Sequence, residues 1–204
     1  MNVSADGTEL WRKGVEHDVL ATRSYGFWLF MMSDALIFAA LFAVYGVMDH
    51  QMATFGGPNA HAITKPLDGL FETFAVFASV LSLSLGMVAF KYGSRLGVTL
   101  GIMFAFLFGA VFLGFEIHEF GQLASKGYTP ELSGFLSSYY ALVATHGLHI
   151  AVGMFWMSFL VFQLWTQGIT DGLVGRMLNL RMYWQFQGTI WICIYAFVTL
   201  RGAF

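Results

Sequence analysis

The amino-acid sequence predicts an all-α, polytopic membrane protein built as a bundle of five transmembrane helices. Three observations lead there. Of 204 residues, 57% are apolar and only 11% are charged, against about 25% charged in an ordinary soluble domain. The apolar residues gather in five stretches, each near the ~20 residues that an α-helix needs to cross a bilayer. The connections between them are short and rich in turn residues, which leaves room for one bundle and no second domain.

The chain starts with "MNVSADGTELWRKGVEHDVLATRS". This stretch has early acids and no apolar core of the kind a secretory signal carries. Residues 1–24 are therefore expected to be a polar cytoplasmic tail, poorly ordered at its start, and residues 25–204 the five-helix transmembrane domain. The predicted spans cover about 25–47, 67–90, 97–120, 135–165 and 182–200. The fourth is long enough to tilt or to project beyond the bilayer. "MDHQMATFGGPNAHAITKP" is the longest connection, "KYGSR" a tight turn, and "GQLASKGYTPELSG" and "TQGITDGLVGRMLNLR" complete the set.

Orientation follows from the cationic residues. Arg12, Lys13, Arg23, Lys91, Arg95, Arg176 and Arg181 fall on one side, and Lys65, Lys126 and Arg201 on the other. The N-terminus is thus expected in the cytoplasm and the C-terminus outside. Trp28, Tyr45, Tyr92, Trp165, Tyr183 and Trp184 lie near predicted span ends, as an interfacial aromatic belt would. Gly97, Gly101, Ala105 and Gly109 recur every fourth residue, a small-residue stripe that predicts close helix packing. The net charge of −2 and the absence of a Lys/Arg cluster give no case for nucleic acid. The single cysteine, Cys193, permits neither an internal disulfide nor a thiolate metal cage.

Ionisable side chains inside a span cost about 2.5–3.5 kcal/mol each on insertion scales, so they face protein or water. Asp34 lies in span one, Asp68 and Glu72 at the start of span two, Glu116, His118 and Glu119 near the end of span three, and His146 and His149 in span four. Glu116 and Glu119 share a helix face, as do His146 and His149, whereas His118 points elsewhere. Spans three and four are joined by a short loop, so the two carboxylates are expected to approach the two imidazoles. Asp34 reads as a helix-pairing acid before a relay, and Asp68 and Glu72 as capping and interface charges. Gln185 and Gln187 read as interhelical hydrogen-bond formers.

A metal site is the competing reading of these residues. Di-iron bundle sites use Glu-x-x-His motifs on separate helices, and none occurs here. Two histidines on one helix face are also badly placed for opposite faces of a porphyrin. No catalytic, cofactor or metal role is assigned to any residue. A transporter ranks last, because paired broken helices and inverted repeats are missing.

The segments "SGFLSSYYALVATHGLHIAVG", "GFWLFMMSDALIFAALFAVY", "FEIHEF" and "YWQFQGTIWICIY" resemble subunit III of the haem-copper respiratory oxidases. The five-span form is similar to the bacterial ubiquinol oxidase branch. Where the family's last span has a histidine, and an aspartate three residues later, this chain has Gln185 and Gly188. The resemblance implies a non-catalytic subunit of a proton-pumping terminal oxidase in a bacterial inner membrane. Haem and copper would then sit in the partner subunit I, and this chain would support assembly and hold phospholipid. The same role in a cytochrome c oxidase is the alternative within the family, and an intramembrane metal enzyme the alternative outside it.

Overall fold

The structure is a computed structural model and describes residues 14–49, 54, 58–200 and 202. Five long α-helices carry the fold: α1 (Gly14–Met48), α3 (Pro66–Lys91), α4 (Arg95–Ser125), α5 (Gly134–Gln167) and α6 (Asp171–Ile194). A one-turn helix, α2 (Ala60–Ile63), sits in the first connection, and a 3₁₀ turn, Pro130–Leu132, precedes α5. Beyond Ile194 the last helix widens into a π-helical stretch, Tyr195–Leu200. There is no strand among the described residues.

Local chemistry sets the helix ends. After α3, α4 and α5 the chain passes through Gly93, Gly127 and Gly168, each with φ between 70° and 79°, a conformation that glycine adopts without a Cβ penalty. The next helix then starts on a hydroxyl cap. Ser94 accepts from the Gly97 amide, Ser133 from the Leu136 amide and Thr170 from the Leu173 amide. Each cap satisfies an amide that has no partner within its helix. Pro66 opens α3, where its missing N–H costs nothing.

Two boundaries differ from the expectation. Helix α1 begins at Gly14 and so takes in the end of the polar tail, because a helix once nucleated propagates into any flanking segment without a breaker. The start of the tail, residues 1–13, lies outside the described residues. Helix α6 begins at Asp171, eleven residues before the predicted fifth span, so most of the expected loop "TQGITDGLVGRMLNLR" is helical. Its polar residues had the look of a loop, yet Arg176 and Arg181 stay exposed while Leu173, Val174, Met177 and Leu180 turn into the core.

Four helices are long and apolar enough to cross a membrane, namely residues Ala21–Met48, Pro66–Lys91, Arg95–Ser125 and Gly134–Gln167. This makes the chain a multi-pass membrane protein. Helix α6 is not among the four, and it carries Arg176, Asn179, Arg181, Gln185 and Gln187.

Helix α5 packs against α1, α4 and α6; α6 in turn packs against α1, α3 and α5. The two helices therefore form the centre, with α1 on one flank and the α3–α4 hairpin on the other. Residues with no accessible side-chain surface, such as Phe112, Phe135, Leu142, Met157 and Leu180, fill this centre. Leu36, Phe74, Leu81, Phe155 and Phe162 stay exposed on the outside, as lipid- or partner-facing side chains of a membrane protein do.

The small-residue stripe of α4 lies against its neighbours. A Cβ on Gly101 would come within 2.8 Å of the Gly86 amide nitrogen, and one on Gly97 within 2.6 Å of the Ala89 Cβ. Further along, Gly109 leaves room for the Trp184 ring, 3.2 Å from where its Cβ would be. Backbone approach of this kind gives van der Waals contact without entropic loss, the force that associates helices where there is no hydrophobic drive. Gly101→Leu should separate α3 from α4 and destabilise the fold by about 1–3 kcal/mol, the usual cost of overpacking. Gly114→Leu, where no atom lies within 4 Å of the added Cβ, should be neutral for folding. The melting temperatures of the two purified variants compare the sites directly.

Candidate functional site

Asp34 sits midway along α1, only 6% exposed. Its Oδ1 lies 3.1 Å from His149 Nε2 on α5. The other ring nitrogen of His149, Nδ1, is 2.6 Å from the Thr145 carbonyl oxygen. A carbonyl only accepts, so Nδ1 carries a hydrogen. A second hydrogen must then lie between Nε2 and the Asp34 oxygen, on one or the other. Either way the pair holds one proton more than a neutral imidazole and a carboxylate, and its total charge is zero. That neutrality lets an acid and a base share a low-dielectric interior. The Tyr183 hydroxyl of α6 donates to the His149 carbonyl at 2.7 Å, so three helices meet here.

His146 is fully buried. Its ring stacks on Trp191 at 5.5 Å between centroids and meets Phe112 edge-on at 5.6 Å. Phe38 covers it at 6.3 Å. Gln187 lies beside it on α6, yet neither side chain makes a hydrogen bond of good geometry.

The expected meeting of glutamates and histidines does not form. His149 is turned towards Asp34 on α1, and His146 towards α6. Glu116 does reach α5, but at Gly147, between the two histidines. A Cβ at Gly147 would sit 2.6 Å from Glu116 Oε2, so the absence of a side chain there is what admits the carboxylate. Both Glu116 oxygens are buried without a hydrogen-bond partner. Helix α4 thus presses its acid onto the α5 backbone while the imidazoles rotate to either side of it.

Glu116, Glu72 and Glu119 line one cleft, with Tyr139, Trp191, Thr64 and Lys65 among the other walls. The cleft is small, with a cavity volume of about 20 Å³, room for about one water molecule. It lies at the end of the bundle where α3 begins and α4 ends. Tyr139 is hydrogen-bonded to Glu119. Lys65, at the mouth, donates to Gln122 at 2.8 Å and lies 3.6 Å from Asp68. Asp68 is exposed in the first turn of α3, where a negative charge suits the helix dipole. His118 is exposed and contacts Gln122. Gln185 is exposed on α6. Among the described residues no group of three or more His, Cys, Asp or Glu could hold a metal ion.

Sequence reasoning missed the hydrogen bonds that tie α6 to α3. Trp184 donates from its indole to Ser79 at 2.9 Å, and Ser79 passes its own hydrogen to the Ala105 carbonyl of α4 at 2.6 Å. Two helical turns away, Trp191 donates to Thr73 at 3.1 Å. Trp184, Tyr183 and Tyr45 are 2%, 5% and 1% exposed, which corrects their reading as interfacial belt residues. Trp28, Tyr92 and Trp165 do face outwards, at 44%, 84% and 59%. Distance from a span end could not separate the two groups; the spacing of Trp184, Gly188 and Trp191 on one face of α6 was the available signal.

The Asp34–His149 contact predicts a measurable coupling. Asp34→Ala and His149→Ala should each lower stability by about 1–3 kcal/mol, the cost of leaving a buried partner unsatisfied. The double variant should lose clearly less than their sum, and a double-mutant cycle by thermal melting reads the difference.

The geometry agrees with what similar proteins are. The family model for cytochrome c oxidase subunit III matches residues 8–203. The chain is 38% identical to the cytochrome bo(3) ubiquinol oxidase subunit 3 of Pseudomonas aeruginosa over 92% of its own length and 88% of that protein. It is 39% identical to the Pseudomonas putida protein of the same name, covering 91% and 89%. The quinol oxidase subunit 3 of Bacillus subtilis is 30% identical, with 87% and 86% covered. With the match running through all five long helices, this chain belongs to the cytochrome c oxidase subunit III family.

Proposed function

We propose that this chain is the non-catalytic subunit III of a proton-pumping terminal ubiquinol oxidase, and that it supports assembly and stability of the catalytic subunit I and binds phospholipid. The observation that carries the reading is likeness along nearly the whole of both chains to proteins named as quinol oxidase subunits 3. The internal polar groups support it. Asp34, His149, Ser79, Thr73, Tyr183, Trp184 and Trp191 spend their hydrogen-bonding capacity on joining helices, which suits cohesion over chemistry. Haem and copper belong, on this reading, to subunit I.

Helix α6 is the fifth crossing in this reading. It is less apolar than the others because α1, α3 and α5 cover it, so its polar side chains need not meet hydrocarbon. Arg176, Arg181, Gln185 and Thr189 stay exposed, and Gln185 lies well within the helix. An exposed amide at membrane depth finds no partner in lipid tails, so its side of α6 suits contact with another subunit. The distribution of Lys and Arg supports a cytoplasmic N-terminus and an exterior C-terminus in a bacterial inner membrane.

Affinity purification through a tag on this chain should bring down a haem-bearing partner that oxidises ubiquinol with oxygen; recovery of the chain alone, or with a stoichiometric metal of its own, would refute the assignment. His146→Ala should lower the yield of assembled complex several-fold and leave the haem absorbance per complex unchanged. Quantitative immunoblotting alongside visible spectra of the purified complex separates the two effects.

A further inference from the structure

Two small cavities inside the bundle differ in what their walls offer. One, of about 10 Å³, is walled mainly by Val76, Phe112, Ile150 and Trp184. Its one hydroxyl, Ser79, already donates to the Ala105 carbonyl and accepts from the Trp184 indole. A buried water needs about two to four polar partners, and this cavity does not supply them, so it is dry. The other is the cleft of Glu72, Glu116 and Glu119, about 20 Å³. Here the polar atoms are in surplus. Glu116 is 3% exposed, and neither of its oxygens has a hydrogen-bond partner in the protein. The nearest cation, Lys65, is committed to Gln122 and Asp68 at the mouth.

Buried polar atoms in native proteins are almost always hydrogen-bonded, to protein or to an ordered water. What answers Glu116 must fit a volume of about one water and suit a carboxyl group in either protonation state. Ionised, the group needs donors; protonated, its O–H needs an acceptor as well. Water supplies both. A metal ion serves only the ionised form, and no metal-holding group is present among the described residues. The other walls hold the water from further sides. Tyr139 of α5, hydrogen-bonded to Glu119, keeps a lone pair on its hydroxyl oxygen for a water hydrogen. Glu72 brings carboxyl oxygens from α3. We infer that this cleft binds one ordered water, hydrogen-bonded to Glu116, which joins the buried acid of α4 to polar groups of α3 and α5. Elsewhere in the bundle the helices are tied by direct bonds; at this end the tie runs through the water.

Radiolytic hydroxyl-radical labelling, read by mass spectrometry on the chain in its native complex, tests this. Radicals formed from a bound water oxidise the side chains that touch it, however deeply these are buried. Trp191 lines the cleft and Trp184 the dry cavity; they are 4% and 2% exposed, so radicals from bulk solvent reach them alike. Trp191 and Tyr139 should be oxidised several-fold faster than Trp184. Glu116→Leu, which removes the acceptors at similar volume, should bring both down to the rate of Trp184. Glu116→Gln, whose amide donates and accepts, should keep the faster rate. Should Glu116→Leu not assemble, the unaltered protein still decides through Trp191 against Trp184. Equal rates at those two tryptophans, labelling that survives Glu116→Leu, or labelling lost in Glu116→Gln as fully as in Glu116→Leu would overturn the inference.

Discussion

Hydrocarbon offers a polar side chain neither donor nor acceptor, and this chain is arranged around that constraint. Most of its interhelical polar contacts turn inwards, onto the two helices that occupy the centre. Asp34 crosses from α1 to His149 on α5. Tyr183 of α6 reaches the carbonyl of the same histidine. Trp184 and Trp191 of α6 reach hydroxyls of α3. Each bond is modest, about 0.6 kcal/mol on average for interhelical bonds of this kind. Their effect is in register: a helix that slid or rotated would expose the groups it now satisfies.

Close backbone approach makes these bonds reachable. Gly86 and Gly101 bring α3 and α4 together, so that Ser79 can donate to Ala105 across the seam. Gly153 and Gly109 leave space for the Trp184 ring, which would otherwise meet a Cβ at 2.6 Å on α5 and 3.2 Å on α4. Gly147 admits a carboxylate where a methyl group would exclude it. Small residues and polar residues therefore act as one system: the first removes bulk, and the second uses the proximity.

Much of this was legible in the sequence and some could not be. Apolar runs located α3, α4 and α5 to within five residues at each end, because the composition of a lipid-facing helix is constrained by its solvent. They missed the start of α6 by eleven residues, because Arg176, Asn179 and Arg181 interrupt its apolar run. Spacing along a helix showed that His146 and His149 share a face, but gave no account of which helix that face meets. The partner of His149 is 115 residues away, on a helix that the loop lengths did not place beside it. Gly147 carried a readable hint, since a glycine between two inward histidines marks a point where something approaches the backbone. The hint does not say that the visitor is Glu116.

Of the two family positions at which this chain departs, one lies in this seam and the other outside it. Gly188 lies against Val80 of α3, and a Cβ there would come within 3.1 Å of the valine methyl. Four residues before it is Trp184, three after it Trp191, so the glycine is the low point of the face that α6 turns to α3. An aspartate at 188 would press bulk and a charge against Val80 where α6 meets α3. Gln185, by contrast, points out of the bundle, and its backbone carbonyl is already taken by Thr189. A histidine there would not enter this core. Position 188 is thus held by the close approach of α6 to α3, and position 185 lies on the outer face of α6, away from the tryptophan–hydroxyl bonds.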